Sequence, residues 1–191
     1  MTRIISGYAG SLRLKVPPFG TRPTSDRVRE AIFSSLESQD ALDGARVLDL
    51  YSGSGSLGLE AASRGARSVT LVDSANAATR VGRDNAALIT KAAPRGAAPE
   101  VVVSSAPVQS FLGGAGGTWD LVFLDPPYEL GPIELRHNLD ALVPRLAPDA
   151  VVVIERSSRD PFPELPDGLE LDRRKAYGDT ALYWLSATAP A

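Results

Sequence analysis

The chain has no cysteine and only one histidine among its 191 residues. The first absence excludes disulfides, thiolate zinc sites and cysteine nucleophiles together. The lone His137 sits on a helix-like stretch with Glu134 and Arg136. A surface or capping role suits it, and no metal site is expected. Long hydrophobic runs are missing as well. No stretch approaches the roughly 18 apolar residues that cross a bilayer, and the opening MTRIISGYAGSLRLKV lacks an apolar signal-peptide core. The expectation is a cytoplasmic protein with no membrane partner.

An overall basic excess is also absent, since the net charge is −3. The charge is uneven, however. Residues 1–35 carry Arg3, Arg13, Lys15, Arg22, Arg27 and Arg29 against Asp26 and Glu30, a local +4 on a remainder of −7. A basic patch on an acidic body can meet phosphate without making the whole surface adhesive.

With 43% hydrophobic and 23% charged residues, the composition is that of a globular chain able to bury a core. Residues 3–16 read as a hairpin around Tyr8-Ala9-Gly10, with Leu12, Leu14 and Val16 alternating with Arg13 and Lys15. VPPFGTRP is a loop. A helix then starts from an N-cap at Thr24 or Ser25, with Val28, Ile32, Phe33 and Leu36 as its apolar stripe. After Gly44, β-rich runs at 46–50, 68–72, 100–104, 120–124 and 150–155 alternate with helical segments near 56–64, 74–90, 106–112 and 132–146. Such alternation predicts a mostly parallel sheet with crossover helices on both faces. The last stretch, LELDRRKAYGDTALYWLS, reads as a closing antiparallel hairpin. Residues 1–40 form an extension ahead of a main domain at 41–191, the two expected as one compact unit.

The first parallel strand runs into LDLYSGSGSLGLEAASRGA. Gly53, Gly55 and Gly58 fit G-x-G-x-x-G, and Asp73 ends the next strand, 20 residues after Gly53. Strand, glycine loop, helix, strand and acid in that order mark a nucleoside-binding unit. A carboxylate at Asp73 suits ribose hydroxyls. Asp49, four residues before Gly53, would repel a pyrophosphate but attract a cation. The loop therefore favours S-adenosylmethionine, a sulfonium ligand without phosphate, over NAD, which stays open as the alternative.

FLDPPYEL (123–130) ends another strand. Two prolines cannot continue a ladder, so they place a rigid turn at the carboxyl edge, where ligands of open α/β sheets bind. If the first and fourth parallel strands are neighbours, this turn faces the glycine loop. Asp125 and the Pro126 carbonyl can then accept hydrogen bonds from an exocyclic amine, and Tyr128 can stack on a base. With no cysteine to add to a pyrimidine ring, nitrogen is the expected target atom.

DLYSGSGSLGLEAASRGA followed by FLDPPY resembles class I S-adenosylmethionine-dependent N-methyltransferases. With RIISG and TRPTSDRVREAIFSSL ahead of it, the chain resembles the RsmD family of 16S ribosomal RNA guanine-N2 methyltransferases over residues 3 to about 186. The resemblance implies a Rossmann-like seven-stranded, mostly parallel sheet with a C-terminal antiparallel hairpin, preceded by the N-terminal hairpin and helix. It implies S-adenosylmethionine contacts at Asp49, Ser52, Gly53, Gly55 and Asp73, with backbone near Ser105 and Ala106 reading the adenine and S-adenosylhomocysteine as product. It implies target-amine contacts at Asp125 and Pro126, with Tyr128 stacking, and an RNA-facing surface of Arg3, Arg13, Lys15, Arg22, Arg27 and Arg29. The implied target is the N2 of guanine 966 in 16S rRNA, on the small ribosomal subunit or an assembly intermediate, and a monomer is expected. DNA adenine or other N-methylation is the nearest alternative, because DPPY is shared among these enzymes.

Overall fold

The computed structural model describes residues 2–18, 25–114, 116–127 and 129–188. Two short strands, β1 (Thr2–Arg3) and β2 (Arg13–Leu14), pair antiparallel as the predicted hairpin. Helix α1 (Asp26–Glu37) starts at Ser25, whose side chain accepts from the Val28 N–H. The other N-cap candidate, Thr24, lies outside the described residues. The expected stripe of Val28, Ile32, Phe33 and Leu36 is buried.

Strand and helix then alternate through β3 (Arg46–Leu50), α2 (Ser56–Ser63), β4 (Ser68–Asp73), α3 (Asn76–Ala92), β5 (Glu100–Ser105), α4 (Val108–Gly114), β6 (Trp119–Leu124) and α5 (Pro132–Leu142). The chain closes with β7 (Leu146–Ser157), β8 (Leu169–Tyr177) and β9 (Thr180–Ala187). The seven-stranded sheet has the order β5-β4-β3-β6-β7-β9-β8, with β9 antiparallel to both neighbours. One boundary differs from expectation. The segment expected to be helical to 146 leaves the α-helix at Leu142, makes one 3-10 turn at Val143–Arg145 and enters β7 at Leu146. Pro144 lies in that turn, and a proline there has no N–H to extend an α-helix.

Alternation along each strand separates two cores. Val47, Val69, Leu71 and Phe123 pack with α1, α2, α3 and the amino-terminal arm. Leu48, Leu50, Val72 and Val122 pack with α4 and α5. Strand order reverses between β3 and β4 on one side and β6 on the other. The crevice at that switch point is where ligands of such sheets sit, and both the glycine loop and the DPPY turn open there.

The arm is fastened to α2 rather than merely laid over it. The fully buried Glu60 accepts from Ile5 N–H at 2.7 Å and from Ser6 N–H at 3.0 Å, and pairs with Arg64 at 2.7 Å. Ser63 adds three contacts: its carbonyl accepts from Tyr8 N–H at 2.9 Å, its hydroxyl accepts from Ala9 N–H at 3.0 Å and donates to the Ser6 carbonyl at 2.6 Å. Gly7, at φ +81°, makes this approach possible, since a Cβ there would lie 1.8 Å from the Ser63 carbonyl oxygen.

Candidate cofactor and target-amine site

Asp49 occupies a core position of β3 and is 1% exposed. Its Oδ2 accepts from the Gly58 N–H at 2.8 Å. That contact needs a bare Cα at 58, because a Cβ there would sit 2.7 Å from Leu71, 2.8 Å from Val69 and 3.2 Å from the Asp49 Cβ. The other oxygen, Oδ1, is buried without a hydrogen-bond partner. Burial pushes the Asp49 carboxyl up to about 7; the Gly58 N–H opposes the rise and the Asp73 charge adds to it. A buried carboxyl beside a second acid, acceptor-only once ionised, is a poor lining for pyrophosphate and a suitable one for a cation.

Between these acids runs the loop. The Ser52 N–H donates to the Val72 carbonyl at 3.0 Å and the Gly53 N–H to Asp73 Oδ2 at 2.9 Å, while Asp73 Oδ1 accepts from Ala75 N–H at 2.8 Å. Gly53 and Gly55 take φ +53° and +77°, as a left-handed turn requires. Tyr51 does so too, at φ +61°, without glycine's freedom. Its hydroxyl accepts from Asn138 Nδ2 at 2.7 Å, tying the loop to α5. At the next strand end, the Ala106 N–H is engaged by the Asp73 carbonyl at 3.1 Å, and the exposed Ser105 hydroxyl lies 3.2 Å from Asn76 Oδ1.

The expected neighbouring of the two loops is present. β3 pairs with β6, placing Asp49 opposite Phe123 and Leu50 opposite Leu124. The Asp125 N–H reaches the Leu50 carbonyl at 3.5 Å. Asp125 is half-buried, Pro126 is buried, and the turn is closed by Leu130 N–H on the Pro127 carbonyl at 3.0 Å. Tyr128 lies outside the described residues. The buried Arg156 holds the far end of the turn, donating from Nη2 to the Leu130 carbonyl at 2.7 Å while pairing with Asp160 at 3.0 Å.

Of the expected RNA-facing cations, Arg3, Arg13, Lys15 and Arg27 lie at least partly at the surface, and Arg22 lies outside the described residues. Arg29 is a correction. It is fully buried, donates to the Arg3 carbonyl at 2.7 Å, and pairs with Asp26 at 2.7 Å and Glu60 at 4.0 Å. Its charge is consumed inside the joint between arm and α2, so it is withheld from any surface ligand.

Two supporting residues escaped the sequence reading. Arg156 has no local signal, because its partner is the Leu130 carbonyl, 26 residues away. Asn85 is fully buried on the core stripe of α3 with Ala78, Gly82 and Ile89. A polar residue on such a stripe was the available signal.

Residues 2–186 match the family described as conserved hypothetical protein 95. Ribosomal RNA small subunit methyltransferase D from Escherichia coli K12 is 37% identical over 180 residues, covering 94% of this chain and 86% of that protein. The solved structure of a hypothetical protein from Thermus thermophilus superposes with a TM-score of 0.77 at 30% identity, covering 96% of this chain and 98% of that one. Magnesium protoporphyrin IX methyltransferase from Synechocystis, solved with bound S-adenosylmethionine, shares only the fold, at 12% identity and a TM-score of 0.66 over 88% of this chain and 87% of that one. A family match over residues 2–186 joined to a relative 37% identical over 94% of this chain is decisive: this chain belongs to the conserved hypothetical protein 95 family, the RsmD family of methyltransferases.

Proposed function

We propose that the protein transfers a methyl group from S-adenosylmethionine to the exocyclic N2 of a guanine in 16S ribosomal RNA, guanine 966 by resemblance, on the small subunit or an assembly intermediate. The observation that carries this reading is the juxtaposition of two strand ends. The acid-flanked glycine loop after β3 and the DPPY turn after β6 are joined at Asp125 N–H and the Leu50 carbonyl. The relative from Escherichia coli, whose name specifies small-subunit ribosomal RNA, supports the substrate class.

Within this reading, Asp49 Oδ1 is the acceptor for the cationic methionine end, the main chain of Ser52, Gly53 and Gly55 shapes its bed, and Asp73 serves the ribose. The cofactor supplies an electrophilic methyl group when bound. Asp125 and the Pro126 carbonyl accept the two amine hydrogens, holding the nitrogen lone pair out of conjugation and toward the cofactor pocket. As the nitrogen gains the methyl it loses a proton, and no strong base is needed for that acidic ammonium. Positioning of this kind supplies on the order of 7–11 kcal/mol of a barrier. Tyr128 is the expected stacking partner, and the target base must leave its stack, at a few kcal/mol.

The test uses tritiated S-adenosylmethionine with small subunits from cells lacking the protein, wild type beside Asp125→Asn, followed by digestion of the RNA to nucleosides. Label in N2-methylguanosine, reduced about 100-fold or more in the variant, is expected. Absence of label on subunits and on free RNA would remove the reading.

A further inference from the structure

Cationic charge is not confined to the arm. Residues 76–95 hold Arg80, Arg83, Lys91 and Arg95 against the single acid Asp84. With the +4 of residues 1–35, these two segments carry +7, and the remaining chain carries −10. The fold then places the two basic segments side by side. Lys15 pairs with Asp84 at 2.7 Å, and the Lys15 N–H and carbonyl bond to the Asn85 side chain at 2.9 and 3.0 Å. The one acid of α3 is thereby neutralised by the arm. Arg80, Arg83 and Lys91 are exposed and, among the described residues, form no ion pair.

These cations flank a formed surface. Arg83 and Lys91, with Ala86, Ala87, Val101 and Val103, line a groove of about 610 Å³ between α3 and β5, the edge strand of the sheet. From Arg80 to Lys91 the charges are spread over about 16 Å of helix axis.

We propose that α3 and this groove form a second RNA-contacting rail, continuous with the arm, in which Arg80, Arg83 and Lys91 meet backbone phosphates and the apolar floor meets a sugar or base. The proposal rests on the RNA-methyltransferase reading above. A polyanion is the ligand whose charge fits: unpaired cations in a row attract it, and a body of −10 steers it away from other faces. An acidic peptide shares only part of this chemistry, and it has no link to the adjoining arm.

The experiment measures binding of a fluorescent small-subunit ribosomal RNA transcript to full-length wild type and to the triple variant Arg80→Gln, Arg83→Gln, Lys91→Gln across a salt series. All three positions are exposed, so the variant folds, and S-adenosylhomocysteine affinity by calorimetry verifies the cofactor site. Expected are an affinity loss of about tenfold or more at physiological salt and a salt slope shallower by about two, with cofactor affinity unchanged. A control, Arg136→Gln with Arg145→Gln around α5, leaves the slope as in wild type. If wild type methylates RNA and the triple variant keeps its affinity and slope, the rail is overturned and the methyltransferase reading stands. If wild type neither binds nor methylates RNA, both fall. Loss of polyglutamate binding with RNA binding intact would assign the groove to an acidic protein partner and overturn the proposal.

Discussion

The carboxamide of Asn85 joins the arm to the glycine loop: its Nδ2 donates to the Ser54 carbonyl at 2.9 Å and to the Lys15 carbonyl at 3.0 Å, and its Oδ1 accepts from the Lys15 N–H at 2.9 Å. One buried side chain thus holds the backbone of a candidate RNA-facing strand and that of a candidate cofactor loop. Asn85→Ala strands the Ser54 and Lys15 groups, at about 1–3 kcal/mol for each buried group left unsatisfied. The expected result is a lower melting temperature together with roughly tenfold or greater weakening of both S-adenosylhomocysteine and RNA binding. Lys15→Ala keeps the backbone bonds and should weaken RNA binding alone. Unchanged cofactor affinity in folded Asn85→Ala protein would refute the link.

Asp49 makes stability and ligand affinity oppose each other. Its carboxyl is raised to about 7 in the fold, against about 3.9 in an unfolded chain. Its contribution to stability is therefore present below about pH 4 and lost as pH rises through about 7. Asp49→Asn removes that loss, so the variant's melting temperature relative to wild type should rise between pH 4 and pH 8, and the ligand-free variant should melt higher than wild type at pH 8. It also removes the charge offered to the cofactor's cationic end. Its affinity for S-adenosylmethionine should fall about tenfold or more at pH 8, and less at pH 5.5. Wild-type binding near neutral pH should release a proton, visible as buffer-dependent binding enthalpy. Melting curves and calorimetry across pH check each part, and a variant that melts below wild type at pH 8 would contradict the argument.

The sheet was legible because its signals are local and periodic. Apolar runs bounded by Gly, Asp and Pro located the five parallel strands, and the carboxyl ends of β3, β4 and β6 bring Asp49, Asp73 and Asp125 to the crevice. What escaped depends on partners distant in sequence. Arg29 reads as a surface cation in any local window, and its burial rests also on distant partners, the Arg3 carbonyl in the arm and Glu60 on α2. Asn85 and Arg156 bond backbone carbonyls, which leave no trace in residue identity. The helix expected to reach 146 was overextended because its apolar pattern continues through Val143 and Leu146 while Pro144 interrupts the hydrogen bonds.

Gly7→Ala tests the arm itself. A Cβ at 1.8 Å from a main-chain oxygen cannot be accommodated by a side-chain rotation, and φ +81° is strained for alanine. The arm must lift from α2 around Ser63. Cofactor binding, which uses β3, β4 and their loops, should stay within about threefold of wild type, while methylation of subunits should fall roughly tenfold or more through KM for RNA. Equal loss in both measurements would show that the arm serves the cofactor loop more than the RNA.

Arg156 is expected to act on the rate through the DPPY turn. It is 6% exposed, and its bond to the Leu130 carbonyl closes a segment that begins at Asp125. Arg156→Ala leaves both that carbonyl and Asp160 without their partner, so the turn loosens while the glycine loop keeps its own bonds to Val72 and Asp73. A displacement of about 1 Å at a reacting centre costs on the order of 100-fold. Single-turnover methyl transfer should therefore drop roughly 10- to 100-fold with S-adenosylhomocysteine affinity unchanged. Arg156→Lys should recover only part of the rate, because the shorter lysine side chain does not carry its nitrogen to the place where Arg156 Nη2 meets both the Leu130 carbonyl and Asp160. Full activity in Arg156→Ala would mean that the two prolines hold the turn by themselves, and that the arginine serves only to anchor the chain around Asp160.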